Sequence, residues 1–250
     1  MPKLKQKGRV TMDAEIPEPD LETEFVSLEE IEANCTAYRL AADNAVDLKE
    51  PLGLKVVEPF KAAEDNDTIP AALWQKYLVE PFQRKNVKAQ RWNPEGSRCF
   101  YSALERDTAI AEMAHHARKH LLGIDAIPAV YYIKFSIGFH GKLVDIHALT
   151  SKHPELVYDQ RHPNCHVVGQ AALRRGSDGI LAPSVRCEGG RCLVVYVPRA
   201  IEPGEFLERI VFSRSPSGQV LTERAPYRSD DRPSANTSDS RKKRGRMRTG

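Results

Sequence analysis

The stretch RWNPEGSRCFYSALERDTAIAEMAHHARKHLLG, residues 91–123, decides how this chain is read. Pro94 and Gly96 place a turn after Arg91, and CFYSA then reads as a short strand running into a helix. Asp107 is the expected N-cap and Gly123 the expected C-cap. Between them Ile110, Met113, Ala114, Ala117 and Leu121 recur at helical spacing and predict the buried stripe. Glu112 sits on the first turns, near the positive end of the helix dipole, which favours its ionised form.

Outward from this unit, strands outnumber helices. AVYYIKFSI (129–137) alternates apolar and polar positions, and KLVDI (142–146) follows a Gly-containing connection, so the two are expected to pair as a hairpin. CLVVYV (192–197) is a continuous apolar run suited to a central buried strand. FLERIVF (206–212) fits a strand or a helix equally well. In GSDGILAPSVRCEGGRCLVVYV (176–197), ILA is strand-like and Pro183–Ser184 ends it at a turn. This irregular order predicts an α+β class: a single mixed domain with central β-sheets and flanking helices.

Three regions are expected: a polar lead over 1–34, a globular domain over 35–212 and a basic tail over 213–250. From Asp13 to Glu32 there are nine carboxylates and no Lys or Arg; from Ser213 onward there are ten Lys or Arg against four Asp or Glu. A tail of this composition buries too little to offset its ordering entropy, and it is expected to be disordered. The net charge of +3 is too small to imply a nucleic-acid partner for the whole chain, which leaves the basic tail as the one segment suited to RNA, DNA or an acidic partner. No apolar run approaches the roughly 18 residues of a membrane span, and no apolar stretch follows the basic start MPKLKQKGRV. The five scattered cysteines argue against a disulfide framework and for a reducing compartment. A cytoplasmic site of action is expected, with no membrane partner.

Four side chains carry the candidate chemistry. Arg91 offers planar, permanently charged donors for a pyrophosphate. Tyr101 offers a flat ring for an aromatic base and a hydroxyl to steer it. Glu112 can bond a ribose hydroxyl and stabilise an oxocarbenium-like transition state, as carboxylates do in glycosidic cleavage. Ser184 presents a hydroxyl at the turn after Pro183, where Gly176 and Gly179 loosen the approach. Together they suit a nucleotide whose sugar–base bond is to be broken.

These residues also carry a resemblance. Arg91-Trp92-Asn93, Gly96, Tyr101-Ser102-Ala103 and the helical Glu112, followed by Gly179-Ile180-Leu181-Ala182-Pro183-Ser184 and the strand Leu193–Val197, resemble the two motifs of the RES domain, named for its Arg, Glu and Ser. Tyr38-Arg39 is similar to a Tyr-Arg pair near that domain's start, so the resemblance spans roughly residues 37–212. It implies an ADP-ribosyltransferase-like fold and an enzyme that consumes NAD as its substrate by hydrolysis or phosphorolysis, with ADP-ribosyl transfer to a protein or nucleic acid as the alternative. It further implies a bacterial toxin neutralised by an antitoxin or immunity protein. Glu112, Arg91, Tyr101 and Ser184 would be catalytic, and Arg39, Tyr38, Trp92 and Gly179 would bind substrate. The segment 143–169 is richer in His and Pro than the motif pattern suggests, and the acidic lead and basic tail suit built-in neutralisation or delivery as a secreted effector.

Other readings compete. His140, His147, His153, His162 and His166, with Cys165 and Cys187, lack the tight ligand pairs of zinc sites, and His115 and His116 point from different helix faces, so no metal is expected. No G-x-S-x-G signature supports a serine hydrolase. Trp74 and Trp92 suit packing better than stacking. A non-enzymatic interaction protein acting through its tail is the rival of another class.

Overall fold

The computed structural model of the chain describes residues 20–42, 74–83, 88–123, 127–158 and 162–226. Helix α1 (Leu21–Ser27) is followed by strand β1 (Glu30–Ala42). A π-helical turn at Gln75–Val79 runs into the short helix α2 (Glu80–Gln83), then come β2 (Phe100–Ala103) and α3 (Arg106–Leu122). Strand β3 (Ala129–Asp145) leads into three helices, α4 (His147–Lys152), α5 (Glu155–Tyr158) and α6 (Pro163–Arg175). The chain then enters β4 (Gly179–Pro183), β5 (Arg191–Val195), β6 (Ile201–Arg214) and β7 (Val220–Pro226). The α+β expectation holds: among the described residues seven strands form one mixed sheet with helices against it.

The strand order is β1-β2-β5-β4-β3-β6-β7, and β1 also pairs with β3 along its whole length. Strands β1, β2, β5, β4 and β3 therefore close a circuit. All pairings are antiparallel except β3–β4, and α4, α5 and α6 supply the crossover that parallel neighbours require. Side chains alternate across this sheet and divide the core in two. On one face Phe100, Phe135, Ile137, Phe139, Leu181 and Leu193 pack together, with Tyr77 and Phe82 of the π-turn and α2 beside them. The other face is covered by helices: Val144, Ile180 and Val194 lie against α6, while Leu40, Tyr132 and Phe212 lie against α3.

Several expectations are corrected. The predicted hairpin over 129–146 is a single strand, because β1 runs antiparallel beside it from Glu30↔Val144 to Ala42↔Tyr132 and pairs the backbone through Gly138 and Gly141. Helix α3 begins at Arg106 rather than after Asp107; the Asp107 carboxylate meets Arg224 of β7 at 3.1 Å instead of capping. FLERIVF resolves as strand, within β6. The folded unit also passes both expected domain boundaries. Helix α1 buries Leu21 and Phe25 inside the expected lead, with Asp20 accepting a bond from the Thr23 N–H at its N-terminus. Strands β6 and β7 reach Pro226, inside the expected tail, because pairing with β6 satisfies the β7 backbone while its charged side chains stay exposed as an edge strand allows. Residues 1–19 of the lead and 227–250 of the tail lie outside the described residues. Among the described residues no helix is long and apolar enough to cross a membrane.

One charge is buried with the sheet. Lys134 on β3 is 2% exposed and pairs with Glu208 directly opposite on β6. Removing one partner of such a pair leaves the other charge unmatched in a poorly solvated place. Lys134→Ala is expected to lower unfolding free energy by about 3 kcal/mol, whereas Lys134→Met with Glu208→Gln recovers most of it. Urea unfolding of the three proteins measures this, and equal loss in the single and double variants would show that the pair is not the cause.

Candidate active site

Glu112 and Ser184, expected together from sequence, are in direct contact. Ser184 follows the last residue of β4 and Glu112 stands on the second turn of α3, and the Ser184 hydroxyl donates to Glu112 Oε1 at 2.6 Å. The direction is fixed by what surrounds the hydroxyl. The backbone N–H groups of Arg186 and Cys187 both donate to Ser184 Oγ at 3.1 Å, so its proton is left for the carboxylate. The loop closes on itself around this serine: Ser184 N–H bonds Gly190 O at 2.8 Å, and Gly190 N–H bonds Cys187 O at 2.9 Å.

A second device holds the helix to the loop. Glu105, just before α3, accepts from the Arg191 backbone N–H at 2.8 Å and from its guanidinium at 2.7 Å, and Thr108 adds a third bond. Partial burial opposes ionisation of Glu105, but the Arg191 and Thr108 bonds outweigh it and keep the carboxyl below its usual range. The start of α3 is thereby locked to the start of β5, so Glu112 and Ser184 approach from two fixed elements. Beneath them, the Cys192 thiol lies 3.7 Å from Glu112 Oε1. Burial first, and the neighbouring Glu112 charge second, push that thiol far above the ordinary cysteine range, so it stays a neutral floor for the carboxylate.

Arg91, Trp92 and Tyr101 form an adjoining group. The Tyr101 hydroxyl donates to Asn93 Oδ1 at 2.9 Å and accepts from the Trp92 N–H at 2.9 Å. Burial raises the Tyr101 phenol well above its ordinary value, as expected for a hydroxyl shut in the core. Asn93, fully buried, is the hub of this turn: its amide nitrogen donates to Ser97 O at 3.0 Å and its oxygen also accepts from Cys99. Burial pushes the Cys99 thiol up to about 12. Trp92 is 3% exposed in the helix-side core. Its carbonyl lies so close to Gly169 of α6 that any Cβ there would collide with it. Arg91 Nη1 donates to the carbonyls of Leu156 and Val157 at 2.9 and 2.8 Å, clasping α5.

The two groups share one face of the sheet. Tyr101, Val194 and Ile180 form one cross-strand row, and Ala103, Cys192 and Ala182 form the next. Two residues along a strand span about 7 Å, so Tyr101 and the Cys192 floor beneath Glu112 are neighbours on the helix-covered side. Arg39 lies elsewhere. It points to the opposite face, stacks 4.2 Å over Phe100 and donates to the Tyr101 carbonyl at 2.9 Å, at the seam where β1 and β2 share the single pair Tyr38↔Ala103. Tyr38 is on the α3 side, with Arg106 5.2 Å over its ring. Gly179 is buried in β4, where a Cβ would stand 2.7 Å from Val194 O, so its hydrogen side chain serves strand packing. The fold also gives parts to Asn93, Glu105, Arg186 and Cys192, which the sequence pattern leaves without one. Their places follow from long-range contacts, and only Asn93, inside the first motif, carried a local signal.

Tyr101→Phe removes the hydroxyl that joins Trp92 to Asn93 and leaves a buried N–H unsatisfied. A loss of about 1–3 kcal/mol in unfolding free energy is expected, with the near-ultraviolet signal of Trp92 altered. A variant as stable as the parent, with that signal unchanged, would remove Tyr101 as the organiser of the turn.

Comparison with known proteins adds the lineage. The chain is similar over 84% of its length, at 16% identity and a TM-score of 0.46, to 93% of a chain in the crystal structure of the M. tuberculosis MbcT–MbcA toxin–antitoxin complex. No curated protein matches it. The model of the RES domain matches residues 67–207, more than half of the chain and the whole span from the Arg91 turn to β6. The chain belongs to the RES domain family.

Proposed function

We propose that this protein degrades NAD by breaking the bond between nicotinamide and ribose. The reading is supported by its RES membership and carried by one observation, the Ser184 hydroxyl directed at Glu112. That bond occupies Oε1. Oε2 carries no hydrogen bond among the described residues and is the oxygen that meets the ribose in this reading. As the carbon–nitrogen bond breaks, its electron pair neutralises the nicotinamide ring and positive charge develops on the ribose. A carboxylate fixed beside that charge lowers its energy more than that of the ground state, which is what raises the rate. Water or phosphate then captures the sugar, and a captured water loses its proton.

In the same proposal Arg91 contacts the nucleotide phosphates. Its Nη1 is committed to α5, which orients the plane of the guanidinium and leaves Nε and Nη2 for a ligand. Tyr101 acts by holding the turn that carries Arg91, and Ser184 by holding Glu112. The protein would work in the cytoplasm as a toxin held in check by an antitoxin or immunity protein, as RES membership suggests.

Glu112→Ala is expected to abolish NAD consumption while the circular dichroism spectrum stays that of the parent. Ser184→Ala removes one charge-assisted bond of about 2 kcal/mol and is expected to slow turnover roughly thirtyfold. Incubation of the pure protein with NAD, with and without phosphate, followed by identification of products, checks both. Free nicotinamide with ADP-ribose or its phosphate ester supports the proposal. Labelled ADP-ribose appearing on an added macromolecule moves the assignment to transfer, and intact NAD refutes it.

A further inference from the structure

The geometry points to Arg186, oriented by His115, as a phosphate-binding residue at the edge of the Glu112–Ser184 pair. The inference rests on the NAD-degrading reading of that pair and adds to it a cation that sequence motifs did not mark. Arg186 is tied to the pair through its own backbone, whose N–H bonds Ser184 Oγ at 3.1 Å. Its side chain then reaches back over α3, where Nη2 meets His115 Nε2 at 3.1 Å. His115 lies three residues beyond Glu112, one turn along the same helix face.

The bond requires a neutral imidazole, because Arg186 has only donors to offer and Nε2 must accept. The surroundings supply that form. Desolvation first, then the neighbouring Arg186, His116 and Lys119, lower the affinity of His115 for a proton and outweigh the opposing Glu112 charge. His115 therefore acts as an orienting acceptor that consumes one guanidinium donor without neutralising the charge. No carboxylate forms an ion pair with Arg186 among the described residues, and its side chain is exposed. Arg175, Arg191, Arg199 and Arg224, by contrast, all pair with carboxylates.

A fixed, unneutralised guanidinium beside a catalytic carboxylate has a definite use. It presents planar donors matched to phosphate oxygens. Lys119, whose charge acts on the same imidazole, adds a second cation along α3. The ligand chemistry is a phosphate-type anion, either the pyrophosphate of the dinucleotide or the inorganic phosphate that attacks the ribose in phosphorolysis. Arg186 touches neither reacting bond in hydrolysis, so in that case it is a binding residue and not a catalytic one.

Equilibrium titration of the full chain with ADP-ribose, and separately with inorganic phosphate, tests the inference without turnover. Arg186→Ala is expected to weaken one of the two by roughly ten- to a hundredfold, the size of a lost charge-assisted contact. Arg186→Lys should lose less, His115→Ala should lose part of the effect, and Arg214→Ala, on distant β6, should lose none. Weakened ADP-ribose binding assigns the site to the pyrophosphate, and weakened phosphate binding alone assigns it to the acceptor. Unchanged affinity for both in Arg186→Ala, or no binding of either by the parent, overturns the inference. Loss of NAD turnover is measured separately: a parent that binds through Arg186 but leaves NAD intact refutes the proposed reaction and keeps the site.

Discussion

Pairing of β1 with both β2 and β3 closes five strands into a circuit, and the rest of the molecule is placed by that closure. A closed circuit has two unlike faces. One takes the phenylalanines of β2 and β3 together with the π-helical turn and α2. The other must be covered by helices, and α3 and α6 do so from opposite ends. The seam between β1 and β2 is the thinnest part, a single residue pair, and Arg39 reinforces it by bonding the Tyr101 carbonyl while lying over Phe100. Arg39, a substrate-binding candidate in the sequence, thus also serves the fold as a cross-strand brace.

The helix-covered face gathers polar groups by satisfying them pairwise. Asn93 and Tyr101 exhaust each other and the backbone of the Arg91 turn. Glu105 is consumed by Arg191 and Thr108. Among the described residues, one carboxylate oxygen of Glu112 and two nitrogens of Arg91 carry no hydrogen bond, and Arg186 has no carboxylate partner. Buried polar groups are costly unless bonded, and the pairing of Asn93, Tyr101 and Glu105 meets that cost within the fold. The arrangement belongs to fixed elements: α3 and β4 deliver Glu112 and Ser184, and the Glu105–Arg191 lock sets the distance between them.

Local sequence signals were strong where a short segment decides its own conformation. The stripe Ile110, Ala117 and Leu121 gave away α3, the apolar runs gave away β4 and β5, and Pro183 marked the turn that presents Ser184. They failed where a distant partner decides. Gly138 and Gly141 look like a hairpin connection, yet β1 pairs straight through them. The His- and Pro-rich stretch after Leu143 looked anomalous, yet it folds into α4, α5 and α6, the crossover that a parallel β3–β4 pair needs. The charged β7 reads as tail until β6 is there to pair with it.

The sequence by itself determined the class of fold and the family, and it singled out Glu112 and Ser184, which the fold brings into contact, because these depend on residue type and short-range spacing. Only the tertiary structure decided what each polar group is bonded to. That Tyr101 fastens a turn, that Arg39 braces a seam, and that Arg186 stands beside Glu112 with its charge unmatched all follow from contacts between segments far apart in the chain. Hydrogen-bond partners are chosen by proximity after folding, and a one-dimensional pattern does not encode proximity across the 72 residues between Glu112 and Ser184.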